Sequence, residues 1–229
     1  MRVASYNIHK AVGLDRRRDP ERVLRVLGEL RADVAALQEA DQRFFGRASV
    51  LPREMLADHG WQVAGVNVRP RSLGWHGNAI LVREGLDVRH AEPLWLDALE
   101  PRGAVLTEIE TAGGPVRIVG MHLDLSGLVR VKQLRGLIEL LSHRAPMPTV
   151  MMGDTNDWNR GRRDAMASLP PHLSQVPCGP SFHTRRPLLK LDRIIVDRSW
   201  RVRDCGVHVS ALSRRASDHL PIWADLGRS

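Results

Sequence analysis

The chain has 229 residues, of which 43% are hydrophobic and 26% are charged, with two cysteines and a formal charge of +8. These values predict a soluble globular protein with a substantial core, and two cysteines are too few for a disulfide framework. No apolar run reaches membrane-spanning length and no signal segment opens the chain, so we expect a cytoplasmic protein without a transmembrane segment. The positive charge favours an anionic partner: nucleic acid, a lipid headgroup surface or a phosphorylated small molecule.

The first part of the chain predicts strands that end in polar residues, with a helix between them. Asp19-Pro20-Glu21 combines an N-cap acid, a proline and a first-turn acid, which together predict a helix start. The predicted strands are Arg2 to Tyr6, followed by Asn7, His9 and Lys10, and Asp33 to Leu37, followed by Gln38 and Glu39.

The middle of the chain predicts short elements around a loop. That loop, Asn67 to Gly77, contains Arg69, Trp75 and His76, which is a composition typical of a binding site. The predicted elements are a helix from Ser49 to His59, and strands over Trp61 to Val66, Asn78 to Val82, Asp87 to Trp95, Ala104 to Glu110 and Val116 to Met121, the last two joined as a hairpin.

The last part adds a long helix and further strands. The predicted elements are helices over Leu128 to His143 and Arg160 to Ser168, a strand from Thr149 into Gly153, a short strand near Phe182, and strands over Lys190 to Val196, Arg201 to Val209 and Leu220 to Leu226. Many strands and few helices, without repeats or a linker, predict one domain over residues 1–229 with the layers of an α/β sandwich.

The segment after the Thr149 strand is rich in polar groups. Asp154 and Asn156 are two residues apart, so they point the same way if strand alternation continues past Gly153. The alternative is an Asx-rich turn, which such sequences form readily. We expect Trp158, just beyond, to pack in the core.

Polar side chains recur at the strand ends and are rich in oxygen donors. Their types suit a hard ion, Mg²⁺ or Mn²⁺, better than zinc. Two histidines near acids supply groups that activate water and stabilise charge on a phosphorus centre. The strand-end residues are Asn7, Glu39, His122, Asp154, Asn156, Asp218 and His219, with Asp192 near a strand start.

Short motifs in one order along the whole chain resemble the endonuclease/exonuclease/phosphatase superfamily. The motifs are S-Y-N at Ser5 to Asn7, L-Q-E at Leu37 to Glu39, G-N-A-I-L at Gly77 to Leu81, R-G-A at Arg102 to Ala104, H-L at His122, R-x-x-Q at Arg130 to Gln133, G-D-T-N at Gly153 to Asn156, L-D-R-I at Leu191 to Ile194, and S-D-H-L-P at Ser217 to Pro221. The resemblance implies the DNase I-like fold, a four-layer α/β/β/α sandwich of two mostly antiparallel sheets. It also implies a Mg²⁺-dependent phosphoesterase site at one edge, with Mn²⁺ as the other candidate ion.

The resemblance also implies roles for individual residues. By this resemblance, Glu39 is expected to be the main metal ligand, with Asn7 and Asp218 beside it. His122 is similar to a phosphate-contacting histidine, and Asp154 and Asn156 to the groups that orient the nucleophile and the phosphate. His219 is similar to the general base, held by Asp192. The residues expected to contact the substrate are Arg102, Asn78, His9 and Lys10, with a structural ion pair as the alternative for Arg102.

The chain departs from the family pattern at two places. Thr155 stands where the family usually has an aromatic residue, which affects packing rather than chemistry. Abasic-site endonucleases of this fold carry a Tyr-x-Pro-Asn segment near the position of His122 to Leu125. His122 instead resembles the DNase I-like, phosphatase and sphingomyelinase-like branches.

Three classes of function therefore stay open. The first is a phosphodiesterase acting on nucleic acid, a phospholipid or a small phosphoester, expected to be a monomer. The second is a catalytically silent anion-binding module, which should have lost the base or the metal acid, yet Glu39, Asp154, Asp218 and His219 are all present. A generic arginine-rich nucleic-acid binder has little support, because aromatic stacking residues make up 4% of the chain.

Overall fold

The computed structural model describes residues 1–42, 48–66, 70–99, 102–158 and 164–229. The strands are β1 (Arg2–Asn7), β2 (Val34–Gln38), β3 (Trp61–Val63), β4 (Ala79–Arg83), β5 (Asp87–Leu94), β6 (Gly103–Thr111), β7 (Gly114–His122), β8 (Thr149–Asp154), β9 (Leu173–Gln175), β10 (Asp192–Asp197), β11 (Trp200–Val207) and β12 (Ile222–Arg228). The helices are α1 (Pro20–Leu30), α2 (Arg53–Asp58), α3 (Gly127–Ser142) and α4 (Ser213–Ala216), with 3₁₀ turns at His9–Ala11 and Met166–Ser168.

The described strands form two six-stranded sheets with matching architecture. The first has the order β11-β12-β1-β2-β4-β3, and the second has the order β5-β6-β7-β8-β10-β9. In the first sheet β1 and β2 are parallel, and in the second β7 and β8 are parallel. The other strand pairs in the described segments are antiparallel, which confirms the predicted mostly antiparallel sheets.

Apolar side chains separate these elements into four layers. One cluster, which includes Ile80, Ile118 and Ile194, fills the space between the two sheets. A Cβ atom at Gly120 would lie 3.2 Å from the Ile80 side chain, so glycine allows the sheets to approach closely here. Two further clusters cover the outer faces, one with α1 and α2 on the first sheet and one with α3 on the second. The predicted α/β/β/α sandwich is therefore confirmed.

The strand directions bring many chain turns to the same edge of the sandwich. The parallel strands β1, β2, β7 and β8 all end there. Their antiparallel neighbours β4, β6, β10 and β12 begin there, since each is paired in opposite register with one of the four. We call this side of the sandwich the polar edge, because the polar strand-end residues singled out in the sequence lie on it.

Some local predictions are confirmed and others are corrected. Asp19 caps α1 as predicted, because its Oδ1 accepts a hydrogen bond from the Arg22 backbone N–H at 3.0 Å. The helix predicted from Ser49 starts later, at Arg53, because the Ser49 hydroxyl accepts from the Leu51 N–H at 3.0 Å and forms a turn before Pro52. The strand predicted from Trp61 ends three residues early, at Val63.

The predicted strand near Phe182 is wrong. Phe182 makes isolated bridges to Leu189 and His219, while the short strand β9 lies earlier, at Leu173–Gln175. The short helix α4 was not predicted. Arg69 and residues 160–163 of the predicted Arg160 helix lie outside the described residues. Within the described segments, no helix combines the length and the apolarity needed to cross a membrane.

Candidate active site

The Asp154 carboxylate lies at the centre of the polar edge and is 2% exposed. Its Oδ2 accepts a hydrogen bond from Asn7 Nδ2 at 3.0 Å. The same oxygen lies 3.4 Å from His122 Nε2 and 3.7 Å from His219 Nε2. One carboxylate oxygen thus faces an amide and two imidazoles, and these partners come from three widely separated parts of the sequence.

Strand register explains why these residues meet. In the second sheet His122 is the direct neighbour of Asp154 on one side, and Asp192 is its direct neighbour on the other. Asn7 ends β1 in the facing sheet. Because neighbouring strands lie about 4.8 Å apart, residues in register at one edge place their side chains within contact distance. The predicted convergence of Asn7, His122, Asp154 and Asp192 is what the register produces.

A tight backbone contact requires glycine just before Asp154. A Cβ atom at Gly153 would lie 1.8 Å from the Met121 carbonyl oxygen, so a side chain at this position would displace β7 or β8. This explains the glycine of the G-D-T-N motif. It also keeps the two strand ends close, and with them His122 and Asp154.

The segment after Asp154 does not continue the strand alternation and forms the Asx turn that the sequence offered as the alternative. Asn156 has a φ of 50°, and its backbone N–H donates to Asp154 Oδ1 at 2.9 Å, which forms an Asx turn. The Asn156 side chain is turned aside and donates from Nδ2 to the Leu123 carbonyl oxygen at 3.0 Å. The turn is therefore part of the site: it fixes one oxygen of Asp154 and leaves the other to the ring nitrogens and Asn7.

Asp192 and His219 form a buried pair behind Asp154. His219 Nδ1 lies 2.9 Å from Asp192 Oδ2, and the Ser181 hydroxyl donates to the same oxygen. The Phe182 ring packs against the imidazole with 4.7 Å between centroids. Because Nδ1 is held by Asp192, His219 presents Nε2 towards Asp154.

Burial and neighbouring charges shift the pKa values of this group in different directions. Burial alone would lower the pKa of His219, but the carboxylates of Asp192 and Asp154 outweigh it and raise the pKa from 6.5 to about 10. Burial raises the pKa of Asp192, with His219 opposing it. For Asp154, burial would raise the pKa, but His219 and His122 hold it well below its usual value. These shifts favour an ionised Asp154 carboxylate facing a protonated His219 imidazole at neutral pH.

Arg102 lies on the other side of His122. Its guanidinium contacts the His122 ring, and Gly103, which follows it, is the register neighbour of His122 across β6 and β7. Asn78 is fully buried, and its Nδ2 donates to the carbonyl oxygens of Gly103 at 3.0 Å and Trp75 at 3.2 Å. Asn78 therefore positions the Arg102 segment, and the substrate contact expected of it stays a prediction.

Glu39 and its neighbours make up the more exposed part of the site. Lys10 Nζ contacts the Glu39 carboxylate, and both side chains are partly exposed. Burial would raise the pKa of Glu39, but the charges of His122 and Lys10 lower it below its usual value. Asp218 Oδ1 lies 3.9 Å from His9 Nδ1, and Asn7 Oδ1 accepts from the His9 N–H at 3.1 Å.

Two groups of residues could hold a metal ion. The predicted set, Asn7, Glu39 and Asp218, offers hard oxygen donors of the kind that Mg²⁺ prefers. The Glu39 carboxylate already faces a cation, the Lys10 ammonium, which fits a site built for positive charge. In the described part of the chain, Asp154, Asp192 and His219 also bring one ligand atom each to within 4.8 Å of the others. In that group, His219 Nδ1 is already held by Asp192. These contacts do not test the assignment of the metal to Glu39, which stays a prediction.

Sequence reasoning noted Arg130 and Gln133 only as part of a motif and missed their role in supporting the site. Arg130 is fully buried, and its Nη2 donates to Asp157 Oδ1 at 3.2 Å. Gln133 Oε1 accepts from the Asp124 N–H at 2.8 Å. Together they tie α3 to the segments that follow His122 and Asp154. The R-x-x-Q spacing was the available signal, since it places both side chains on one face of a helix.

Trp158 contradicts the prediction of a core residue. Its side chain is 45% exposed, with the Arg130 guanidinium 5.3 Å from its ring centroid. Ser181 and Phe182, which contact Asp192 and His219, were also not assigned to the site from the sequence. Neither has a motif of its own, because its position depends on a long loop that pairs with the residues just before β12: the Leu220 N–H donates to the Ser181 carbonyl oxygen at 2.9 Å.

Comparison with known proteins agrees with this geometry. The sequence model of the Endonuclease/Exonuclease/phosphatase family matches residues 4–219. The uncharacterized protein YbhP of Escherichia coli is 29% identical over 98% of this chain and 95% of its own length.

Solved structures of this fold also superimpose on the chain. TDP2 of D. rerio complexed with a single-strand DNA product gives a TM-score of 0.75 at 17% identity, covering 99% of this chain and 98% of that one. A mannosyl-6-phosphatase of Bacteroides thetaiotaomicron gives 0.69 at 20% identity, covering 99% of each chain. At such identities the likeness concerns the fold.

Proposed function

Because the chain belongs to the endonuclease/exonuclease/phosphatase family, we propose that it is a Mg²⁺-dependent phosphodiesterase that uses water as the nucleophile. Mn²⁺ is the alternative ion. The observation that carries the proposal is the Asp154 carboxylate, which faces Asn7, His122 and His219 in a buried position at the polar edge. A family member that had become a silent binding module would have no need to keep this charged group assembled.

Glu39, with Asn7 and Asp218, would hold the ion, which when bound supplies polarisation of a phosphoryl oxygen and neutralises its charge. The ion would displace the Lys10 ammonium, because that ammonium contacts the Glu39 carboxylate. The lowered pKa of Glu39 keeps this carboxylate ionised over the physiological range.

His219 would take the proton of the attacking water at Nε2. Asp192 holds Nδ1 at 2.9 Å, which fixes the ring orientation and stabilises the imidazolium after transfer. Asp154 lies beside Nε2 and orients the water. Since the pKa of His219 is raised to about 10, the neutral base is a minor form at neutral pH, and its share grows as the pH rises.

His122 and Arg102 would bind the phosphoryl oxygens. Arg102 and His122 lie in contact at the start of β6 and the end of β7, and His122 Nε2 lies 3.4 Å from Asp154 Oδ2. Fixed donors at the reacting phosphate stabilise the charge that accumulates in the transition state. His9 and Lys10 would contact the rest of the substrate from the opposite side.

The substrate is a phosphodiester, with nucleic acid as one option and a phospholipid or a small phosphoester as the others. The structural neighbours do not decide among these, since one binds a DNA product and another is a sugar phosphatase. We also propose that residues 1–229 form one domain, and that the protein acts as a cytoplasmic monomer.

A substrate panel with a matched inactive variant tests the function. Nucleic-acid, phospholipid and small phosphoester substrates would be assayed with Mg²⁺, with Mn²⁺ and with EDTA. We expect hydrolysis of at least one phosphodiester, lost in EDTA and lost in Asp154→Asn. Activity that persists in EDTA contradicts the metal dependence. Activity equal in wild type and Asp154→Asn points to a contaminating enzyme and contradicts the site.

A further inference from the structure

The exposed apolar side chains of this protein have an uneven distribution. Among the described residues, eight large apolar side chains are at least 40% exposed. Each lies next to a strand end at the polar edge, either in a loop or in the first turn of α3. Such side chains scattered singly over a surface would need no explanation, but their concentration around one site marks an interaction surface.

One group of these side chains lies mostly in the loop that follows Phe182, whose ring contacts His219. This loop, Arg185 to Lys190, has the sequence R-R-P-L-L-K, and we call it the RRPLLK loop. Its two leucines, Leu188 and Leu189, are 67% and 40% exposed. Val209, which follows β11 at the same edge, is 50% exposed.

Backbone hydrogen bonds hold the RRPLLK loop beside His219. The N–H groups of Leu188 and Leu189 both donate to the Phe182 carbonyl oxygen at 2.9 Å. Just before the loop, the Thr184 N–H donates to the Asp218 carbonyl oxygen at 2.8 Å. The Phe182 ring contacts the His219 imidazole. The exposed leucines are therefore carried on a fixed loop that is bonded directly to the catalytic motif.

The charges of the RRPLLK loop are all of one sign. Arg185, Arg186 and Lys190 flank the leucines, and all three are exposed. The chain as a whole carries a formal charge of +8. Exposed apolar groups surrounded by cations match the interface of an anionic bilayer, where the apolar groups enter the headgroup boundary and the cations contact the lipid phosphates.

The second group lies across the site from the RRPLLK loop and includes two tryptophans. Trp95 is 71% exposed and rests against the ring of Trp75, with 4.2 Å between centroids. Leu99, which is 77% exposed, is fixed because its N–H donates to Asp124 Oδ2 at 3.0 Å. The other members are Leu125, Leu128 and Trp158. Tryptophan is a side chain typical of the membrane–water interface.

We propose that the polar edge docks on an anionic phospholipid bilayer, with the RRPLLK loop on one side of the site and the Trp95 group on the other. The docked edge would present a lipid phosphodiester headgroup to Asp154 and His219. The substrate part of this inference rests on the proposed hydrolysis, while the docking itself does not.

Two other occupants fit these observations less well. A nucleic-acid strand would be bound through aromatic stacking, but six of the eight exposed side chains are aliphatic. A second copy of the chain would bring a like-charged RRPLLK loop against the same surface, which repels.

The test is vesicle cosedimentation with variants matched in charge. Wild-type protein would be mixed in EDTA, without turnover, with vesicles of phosphatidylcholine alone or with about one third phosphatidylglycerol. Arg185→Glu/Arg186→Glu changes the charge at the polar edge. Arg198→Glu/Arg201→Glu makes the same change at the opposite edge, on exposed residues around the β10–β11 turn. Leu188→Ser/Leu189→Ser removes the apolar contribution and leaves the charge unchanged.

We expect wild type to prefer the anionic vesicles by at least about tenfold, since each cation near such a surface adds to the attraction. Arg185→Glu/Arg186→Glu and Leu188→Ser/Leu189→Ser should each weaken binding by at least about tenfold. The opposite-edge variant should keep most of the binding. Circular dichroism would establish that all three variants are folded.

Several results would overturn the proposal. The first is no preference of wild type for anionic vesicles, and the second is an equal loss in the two charge-reversal variants. The third is binding of a single-stranded oligonucleotide that the Arg185→Glu/Arg186→Glu change abolishes, without vesicle binding, which assigns the edge to nucleic acid. The fourth is a dimer that Leu188→Ser/Leu189→Ser dissociates, without vesicle binding, which assigns the edge to a second copy. Because no turnover is measured, a failure of the proposed hydrolysis leaves this result unchanged.

Discussion

The two sides of the active site are built differently. The side that belongs mainly to the second sheet, with Asp154, His122, Asp192 and His219, is nearly inaccessible to solvent, and its groups contact one another directly. The side formed by the loops after β1 and β2, with Lys10 and Glu39, is partly exposed and is held by an ion pair. Exposed ion pairs contribute little to stability, whereas buried charged groups are costly to disrupt. We therefore expect substitutions on the two sides to differ in kind: loss of chemistry on the buried side, and altered ion binding on the exposed side.

The largest effect on turnover should come from the buried side. His219→Ala removes the proposed base, so kcat should fall at least about a hundredfold with Mg²⁺ saturating. His172→Ala, an exposed histidine next to β9, is the matched control and should keep normal turnover. The measurement is steady-state kinetics on whichever substrate the panel identifies. Near-normal turnover in His219→Ala contradicts the role of the histidine and the mechanism built on it.

Loss of the buried Arg130–Asp157 ion pair next to the site should lower the free energy of unfolding. Arg130→Met removes a fully buried cation from Asp157, which loses one partner of a buried pair and should cost about 3–5 kcal/mol. Arg89→Met removes an exposed cation from Glu110 and should cost about 1 kcal/mol or less. Urea unfolding followed by circular dichroism measures both. Similar costs for the two substitutions would mean that the Arg130 pair does not hold the site together.

Substitutions on the exposed side should mainly change the affinity for the metal ion. Glu39→Gln removes the charge of the predicted principal ligand, so Mg²⁺ or Mn²⁺ affinity should fall by about tenfold or more while the fold is retained. Glu54→Gln, on the exposed face of α2, is the control and should bind metal normally. Isothermal titration calorimetry measures the affinities. Unchanged affinity in Glu39→Gln would move the metal assignment away from this side, with the Asp154, Asp192 and His219 group as the next candidate.

The pH profile tests the charges on the buried side. Neighbouring carboxylates favour the protonated imidazole and raise the pKa of His219 to about 10, so a neutral His219 base becomes more abundant as pH rises through the neutral range. We expect kcat to increase with pH over that range. Asp192→Asn removes one of those charges and should shift the rise to lower pH by about one unit or more, with a lower maximal rate. A wild-type rate that is flat or falls between neutral and alkaline pH would mean that His219 acts as an imidazolium.

The buried side was also the more predictable part of the sequence. Asp154, His122 and Asp192 could be placed together because each marks a strand end, and strand ends in register meet at one edge. The pattern of many strands and few helices predicted a layered α/β sandwich, and the family resemblance implied the two mostly antiparallel sheets. Local turn chemistry could not be read this way, since the sequence left strand alternation and an Asx turn both open after Gly153. The structure shows the turn, in which the Asn156 N–H donates to Asp154 Oδ1.

What the sequence did not reveal depends on long-range packing. Ser181 and Phe182 reach Asp192 and His219 only because a loop folds back over the start of β12, and nothing in their own neighbourhood signals that contact. Trp158 was assigned to the core on the basis of its residue type, but it follows a tight turn that carries it to the surface. Residue type predicts burial on average, and the backbone path decides the individual case.

The smallest expected effect concerns Lys10, and it tests whether the exposed side is built for a cation. Lys10 Nζ contacts the Glu39 carboxylate, so a metal ion must displace the ammonium from that oxygen. Because the pair is partly exposed, its contribution is at most about 1 kcal/mol, which corresponds to about fivefold in affinity. Lys10→Ala should therefore strengthen Mg²⁺ binding by up to about fivefold, since it removes the competing charge. Lys132→Ala, an exposed lysine on α3, removes the same charge elsewhere and should leave the affinity nearly unchanged. Calorimetry of both variants beside wild type separates the outcomes. If Lys10→Ala weakened Mg²⁺ binding, the ammonium would be organising Glu39 for the metal rather than competing with it.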